Sequence, residues 1–170
     1  MPPFEIENLN SLKQLEGREF PPTEWFIVTQ DRIQKFADAT EDRQWIHLDR
    51  ERAQGESPFG GTIAHGFLTL SLLSYFLKQA IRICSGLELT VNYGLNKVRF
   101  PSAVRAGSQV RARVTLIAVK ESPDFVDGTF QIYVESQSTD GQSIEGQNTE
   151  AGIPGKPCCV AEWLVRYYRQ

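Results

Sequence analysis

The sequence predicts an α+β fold in which an antiparallel sheet wraps around one central buried helix, and three observations point there. From Gly66 to Ile81 the apolar residues Phe67, Leu68, Leu70, Leu72, Leu73, Phe76, Leu77, Ala80 and Ile81 cover nearly the whole circumference of a helix. A helix that is apolar almost all round belongs inside a core. After Gly86 the period changes: residues 95–100, 109–119, 125–135 and 160–168 show strand-like alternation or β-branched and aromatic enrichment. Pro101, Gly107, Pro123, Asp127-Gly128 and Asp140-Gly141 punctuate or bend these segments.

The elements follow in order. Residues 1–22 read as a polar lead-in with a short helix around Leu9–Leu15, ended by Gly17 and Pro21-Pro22, and residues 23–170 read as one domain. Trp25 to Val28 is a strand. Thr29 suits the N-cap of a helix that turns Ile33, Phe36 and Ala37 inward, with Asp31 at its positive end. Residues 40–49 form a loop, and residues 49–53 form a short helix. Gly55 to Gly61, with Pro58, is a turn region. Arg111, Arg113 and Thr115 alternate with Val110, Ala112, Val114 and Leu116, the pattern of a sheet with one covered face. Residues 138–157 form a Gly-, Ser- and Gln-rich loop. One buried helix followed by long antiparallel strands is the arrangement of the hot-dog fold, a sheet curled around a helix. Such a sheet keeps a free edge, so a homodimer is expected.

Composition narrows the function. The 170 residues are 41% apolar and 23% charged, enough for one domain with a sizeable core. A formal net charge of −3, with cations scattered among acidic residues, argues against nucleic acid. The three cysteines, Cys84, Cys158 and Cys159, make neither a disulfide framework nor a zinc ribbon. No export signal is visible at the N-terminus, and no apolar run is long enough to span a membrane. A reducing cytoplasm is the expected location.

Chemistry is concentrated between Thr40 and Gly66. Asp42 precedes His47 by five residues, and His65-Gly66 follows eighteen residues later, at the start of the apolar helix. A carboxylate and an imidazole able to hold one water, beside a backbone N–H at a helix start, suit addition of water to a polarised double bond. The same residues taken singly also fit a cap and a surface side chain. His65 reads chiefly as a group that positions the helix start, and Asp49 as an N-cap. Arg99 suits either a ligand phosphate or an ion pair in the sheet. Ser71 and Ser74 suit bonds to carbonyls one turn back, and Tyr167-Tyr168 a strand surface or dimer contact. Asp42, His47, Asp49 and His65 are all possible metal ligands, but with two histidines and no His-x-x-x-His or Cys cluster no metal site is expected.

Three ordered stretches, Phe36-Ala37-Asp38-Ala39-Thr40-Glu41-Asp42-Arg43-Gln44-Trp45-Ile46-His47-Leu48-Asp49, Phe59 to Ser71, and Asn92 to Pro101, resemble the MaoC-type dehydratases, and within them the NodN-like branch. The resemblance runs from about Trp25 to the C-terminus. It implies that Asp42 and His47 activate the water that adds to a trans-2-enoyl thioester, giving the (3R)-hydroxyacyl product, or run the reverse dehydration. It places the oxyanion donor at the Gly66 N–H and a supporting serine at Ser74, with His65 beside them. Substrates would be acyl-CoA or acyl-carrier-protein thioesters, and no cofactor is expected. Two departures stand out: Gln44-Trp45 replaces the Asn-Pro of many members, and the loop at 138–157 is longer. A non-catalytic acyl-thioester-binding accessory protein and a hot-dog thioesterase are the alternative readings.

Overall fold

The computed structural model describes residues 1–138 and 156–170. In chain order its elements are β1 (Phe4–Ile6), a 3-10 helix (Leu9–Leu15), β2 (Phe26–Ile27), α1 (Gln30–Thr40), α2 (Trp45–Leu48), α3 (Arg50–Glu56), α4 (Gly66–Ser71), α5 (Leu73–Ala80), β3 (Ile81–Ile83), β4 (Leu87–Arg99), β5 (Gln109–Glu121), β6 (Phe125–Gln137) and β7 (Cys159–Arg169). Most of the glycine-rich loop expected at 138–157 lies outside the described residues.

The alternation read at residues 110–116 sets the inner face of the main sheet. Val110, Ala112, Val114 and Leu116 are fully buried, and their partners across the ladder include Val134, Ile132 and Phe130. The five strands stand in the order β2-β5-β6-β7-β4, and every pairing is antiparallel. Leu68, Leu72, Leu73, Phe76, Leu77 and Ala80 of α4 and α5 join this apolar face in one core. An antiparallel sheet wrapped on a helix is thus present, the hot-dog arrangement expected from the sequence.

Three details differ from the sequence expectation. The central helix is broken at Leu72, where the Ser71 hydroxyl donates to the Phe67 carbonyl at 2.7 Å, a back-bond that competes with the backbone ladder and bends helices. The helix ends at Ala80, because Ile81 to Ile83 instead pair in parallel with Phe4 to Ile6. It is also not buried all round: Phe67 is 67% exposed and Tyr75 44%. Tyr75 lies against Phe26 of β2 and Phe67 against Phe100, while Ser74 reaches towards Asn92 of β4, the last strand of the sheet, whose residues 88–97 are all exposed.

The segment read as a lead-in is integral to the core. Asn8 caps the 3-10 helix by accepting the Ser11 amide, and Ile6, Leu9, Leu12 and Phe20 are buried in the main cluster. Beyond it the chain runs along the outer edge of β5, where the amides of Gly17, Phe20 and Thr23 donate to the carbonyls of Leu116, Val114 and Ala112. One sheet edge is therefore covered by the chain itself, whereas β4 offers a 13-residue edge with Leu89, Val91, Tyr93 and Leu95 exposed. Arg166 pins this edge strand from outside: it grips Asp127 with two bonds of 2.7 and 2.8 Å, and its guanidinium lies between the rings of Tyr93 and Phe125.

If residues 1–22 belong to the core, Leu12→Ala should cost about 2–5 kcal/mol, the range for deleting a buried leucine side chain. Urea unfolding measures this; a loss below about 0.5 kcal/mol, as for a surface site, would make the segment a dispensable lead-in.

Candidate active site

Thr29 accepts the Arg32 amide and starts α1, as its position in the sequence suggests, and Ile33 and Ala37 are buried. The helix ends at Glu41, which takes the left-handed conformation at φ 60°. That turn throws the chain outward, so the Asp42 side chain is 58% exposed. The segment expected to be a loop then contains the short helix α2, which carries His47 back inward until it is only 6% exposed.

A second segment meets it there. The Ile63 amide donates to the Ile46 carbonyl at 3.0 Å, and the His47 Nδ1–H donates to the Ile63 carbonyl at 2.7 Å. A carbonyl only accepts, so Nδ1 holds the proton and Nε2 is the free base of neutral His47. Burial holds the His47 pKa below the ordinary imidazole value. The Ile63 bond acts against that shift, nearby His65 adds to it, and Asp42 acts against it. His47 is therefore unprotonated, and so able to accept a proton, at neutral pH.

His65 is packed behind this ring, 3% exposed, with its centroid 3.7 Å from that of His47 and the planes 27° apart. Its Nε2–H donates to the Asp42 carbonyl at 2.9 Å and lies 4.0 Å from the Asp42 Oδ2. The next residue, Gly66, opens α4, so its amide has no partner within the helix. A Cβ at Gly66 would lie 2.9 Å from the Phe100 ring, which explains glycine there by close approach. His47, Gly66, Thr69, Phe100, Ser102 and Cys158 are among the residues lining a cavity of about 340 Å³. The Cys158 thiol is pushed up to about 12, chiefly by burial, which leaves it inert as a nucleophile.

The structure thus gathers Asp42, His47, His65 and Gly66 and leaves Ser74 apart. Ser74 is half-buried eight residues along the helix, its Oγ 3.4 Å from the Asn92 Oδ1, in the wall of a separate hollow of about 400 Å³. Of the simpler readings, Asp49 does cap α3 by accepting the Arg52 amide, and Arg99 bonds the neighbouring Val98 carbonyl. Asp42, His47 and His65 also place three possible ligand atoms within 4.8 Å of one another. Stacked rings direct their in-plane lone pairs side by side, whereas zinc needs imidazoles converging on one point at about 2.0–2.1 Å. The arrangement suits proton handling better than metal ligation.

Gln30, the first residue of α1, was not singled out by the sequence. Its Nε2 donates to the His47 carbonyl at 2.7 Å, and its Oε1 accepts from the Thr62 hydroxyl. One amide thus ties α2 to the 61–65 segment. The only sequence signal was a long polar side chain directly after an N-cap, free to reach outside its own helix. Gln30→Ala should lower stability by about 1–3 kcal/mol, the cost of stranding such buried partners. It should also speed hydrogen exchange at the Ile63 amide; unchanged exchange there would show that Gln30 does not hold the two segments together.

Residues 12–137 match the family model described as the MaoC like domain. The chain is 44% identical over 162 residues to 3-hydroxyacyl-thioester dehydratase Z of Mycobacterium tuberculosis, covering 95% of this chain and 97% of that one. It is 46% identical to Nodulation protein N of Rhizobium meliloti, with 93% of this chain and 89% of that one covered. Among solved structures, the (R)-hydratase from A. caviae involved in PHA biosynthesis shares the fold with a TM-score of 0.60 at 22% identity, covering 88% of this chain and 94% of that one. An Asp–His pair backed by a second histidine, at the start of a helix under a hot-dog sheet, accompanies these matches, and the chain belongs to the MaoC-like dehydratases, a family of hydro-lyases.

Proposed function

We propose that the protein catalyses (R)-specific hydration of trans-2-enoyl thioesters to (3R)-hydroxyacyl thioesters, and the reverse dehydration. The observation that carries this reading is the orientation of His47: Nδ1–H is committed to the Ile63 carbonyl, and the ring lines the cavity beside Gly66 with Nε2 as its free base. Water held between that nitrogen and the Asp42 carboxylate adds its oxygen to C3 as His47 takes up a proton. The developing negative charge passes to the thioester oxygen, which the Gly66 N–H receives, and a proton returned by the same pair completes C2. Groups of this type each contribute roughly 10²–10⁴-fold in rate. Asp42 then faces an imidazolium, which its negative charge favours. Nothing in this sequence of events calls on a metal or organic cofactor.

The names of the M. tuberculosis 3-hydroxyacyl-thioester dehydratase and the A. caviae (R)-hydratase agree in substrate class and stereochemistry with this reading. The acyl chain would continue from Gly66 along the gap between the helix and β4, through the hollow beside Ser74 and a further one of about 700 Å³ bordered by Leu77, Ile81, Leu87 and Trp163. We further propose that the β4 edge, with its exposed apolar residues, pairs with a second copy in a homodimer. No helix is long and apolar enough to cross a membrane among the described residues.

Asp42→Asn should leave the fold intact and lower kcat for crotonyl-CoA hydration by about 10²–10⁴-fold, the usual range for an acid–base group. Full activity in that variant, an S product on chiral analysis, or release of free thiol instead of a hydroxyacyl thioester would each refute the assignment. The pH profile gives a further check. Because the base must be unprotonated and its pKa is lowered, kcat/KM should fall on the acid side with an apparent pKa below the ordinary imidazole value of about 6.5. A midpoint at or above that value would contradict the buried, neutral His47. For the dimer, Tyr93→Lys should shift the mass measured by light scattering towards the monomer.

A further inference from the structure

We infer that His65 is a positioning residue for the Asp42–His47 pair, holding the Asp42 backbone through its Nε2–H, backing the His47 ring by stacking, and fixing the chain one residue before Gly66. This deepens the reading in which Asp42 and His47 carry the chemistry, and rests on it.

Capping does not account for this histidine. It occupies the N-cap of α4, yet its side chain makes no capping bond, where Ser, Thr, Asp or Asn would have done so. Core filling does not account for it either. The ring is wedged between Phe36, at 5.0 Å between centroids, and His47, at 3.7 Å. Its Nδ1 is buried with no hydrogen-bond partner, a cost that a phenylalanine or leucine in the same space would avoid. What the imidazole supplies and an apolar ring cannot is the donor to the Asp42 carbonyl.

The consequences follow from where each contact lands. The Asp42 side chain is in solvent and is anchored chiefly through its own backbone, so the Nε2–H bond sets where the carboxylate starts. The His47 ring is held at its edge by Ile63 and over its face by His65. His65 is not among the residues lining the cavity, so losing it should alter kcat more than substrate binding. Displacing a reacting group by about 1 Å costs up to about 10²-fold in rate.

A pH effect accompanies the geometry. The charged or titratable groups that face His47 are Asp42 from the loop before α2 and His65 from the start of α4. Cys158 borders the same cavity with its thiol protonated, and Arg105, from the turn before β5, is spent on the Gly60 carbonyl. The electrostatic influence of His65 on His47 is towards a lower pKa. Its removal therefore raises the pKa of His47, and activity is lost at higher pH on the acid side.

Two substitutions in the full-length protein separate the contributions: His65→Phe keeps a ring and loses the donor, and His65→Gln keeps a donor and loses the ring. Crotonyl-CoA hydration would be followed in both beside Asp42→Asn. The expected result is a kcat about 10–100-fold lower in each His65 variant, a KM within about threefold of the parent, and an acid limb displaced to higher pH. In the unmodified protein, long-range ¹⁵N–¹H spectra of the imidazoles should show the His65 proton on Nε2. If His65→Phe fails to fold, the glutamine variant and the spectra decide. Parental kcat with an unmoved acid limb, or a neutral His65 protonated on Nδ1, would overturn the inference while an inactive Asp42→Asn left the acid–base reading standing. Full activity in Asp42→Asn would overturn both.

Discussion

The Ile63 carbonyl accepts a hydrogen bond from the His47 ring while the Ile63 amide donates one to the Ile46 carbonyl, and this two-way clasp is the contact on which the site depends. It joins a segment that follows α1 to one that leads into the central helix, elements with no direct connection in sequence. Neighbouring bonds reinforce it: the Ala64 amide donates to Val104, the Ala106 amide to Thr62, and Gln30 bridges His47 and Thr62. Were the clasp shifted by one residue, His47 would lose its tautomer, and Gly66 would no longer face the same cavity. A backbone carbonyl thus fixes which nitrogen of the imidazole is basic, and the proposed catalytic pair inherits its geometry from ordinary loop hydrogen bonding.

What could be read from the sequence is what local rules decide. Thr29 caps α1, Asp49 caps α3, and residues 110–116 alternate about a sheet plane because a neighbour one to four residues away settles each question. Asp42, His47 and Gly66 were legible as a group only through the resemblance, since spacing alone permitted a capped loop as well. The misreadings share a cause in non-local partners. Ile81 to Ile83 carry helix-compatible residues, but β1, over seventy residues earlier, takes them into a parallel pair. The polar look of residues 1–22 hid Ile6, Leu9, Leu12 and Phe20, whose spacing follows no single period because a strand, a 3-10 helix and an extended segment each bury part of the set. Gln30 was invisible because its partners lie 17 and 32 residues away.

The position of Ser74 depends on surroundings that a motif alone does not carry. Eight residues of helix correspond to about 12 Å of rise, so a serine at that spacing from Gly66 is well along the helix from the clasp. In the single chain it borders the gap beside β4. A role for Ser74 alongside Asp42 and His47 thus requires substrate, or a second chain, to occupy that gap.

The two proposed acid–base groups owe their division of labour to opposite surroundings. His47 is buried, and its charged form is penalised, so it waits as a base; Asp42 stands in solvent, tethered by its carbonyl, and opposes the penalty as the imidazole takes up a proton. Pairs whose environments differ in this way can exchange roles as a reaction reverses, because neither relies on a charge that the fold must hold permanently in its interior. The same contrast explains why the two side chains need not touch. A direct carboxylate–imidazole bond would fix the proton between them and leave no place for water, whereas an exposed acid beside a buried base leaves room for the water that the proposed reaction needs. The sheet is asymmetric in the same sense: the edge at β5 is sealed by the chain itself, and hollows beside the helix are bordered by β4.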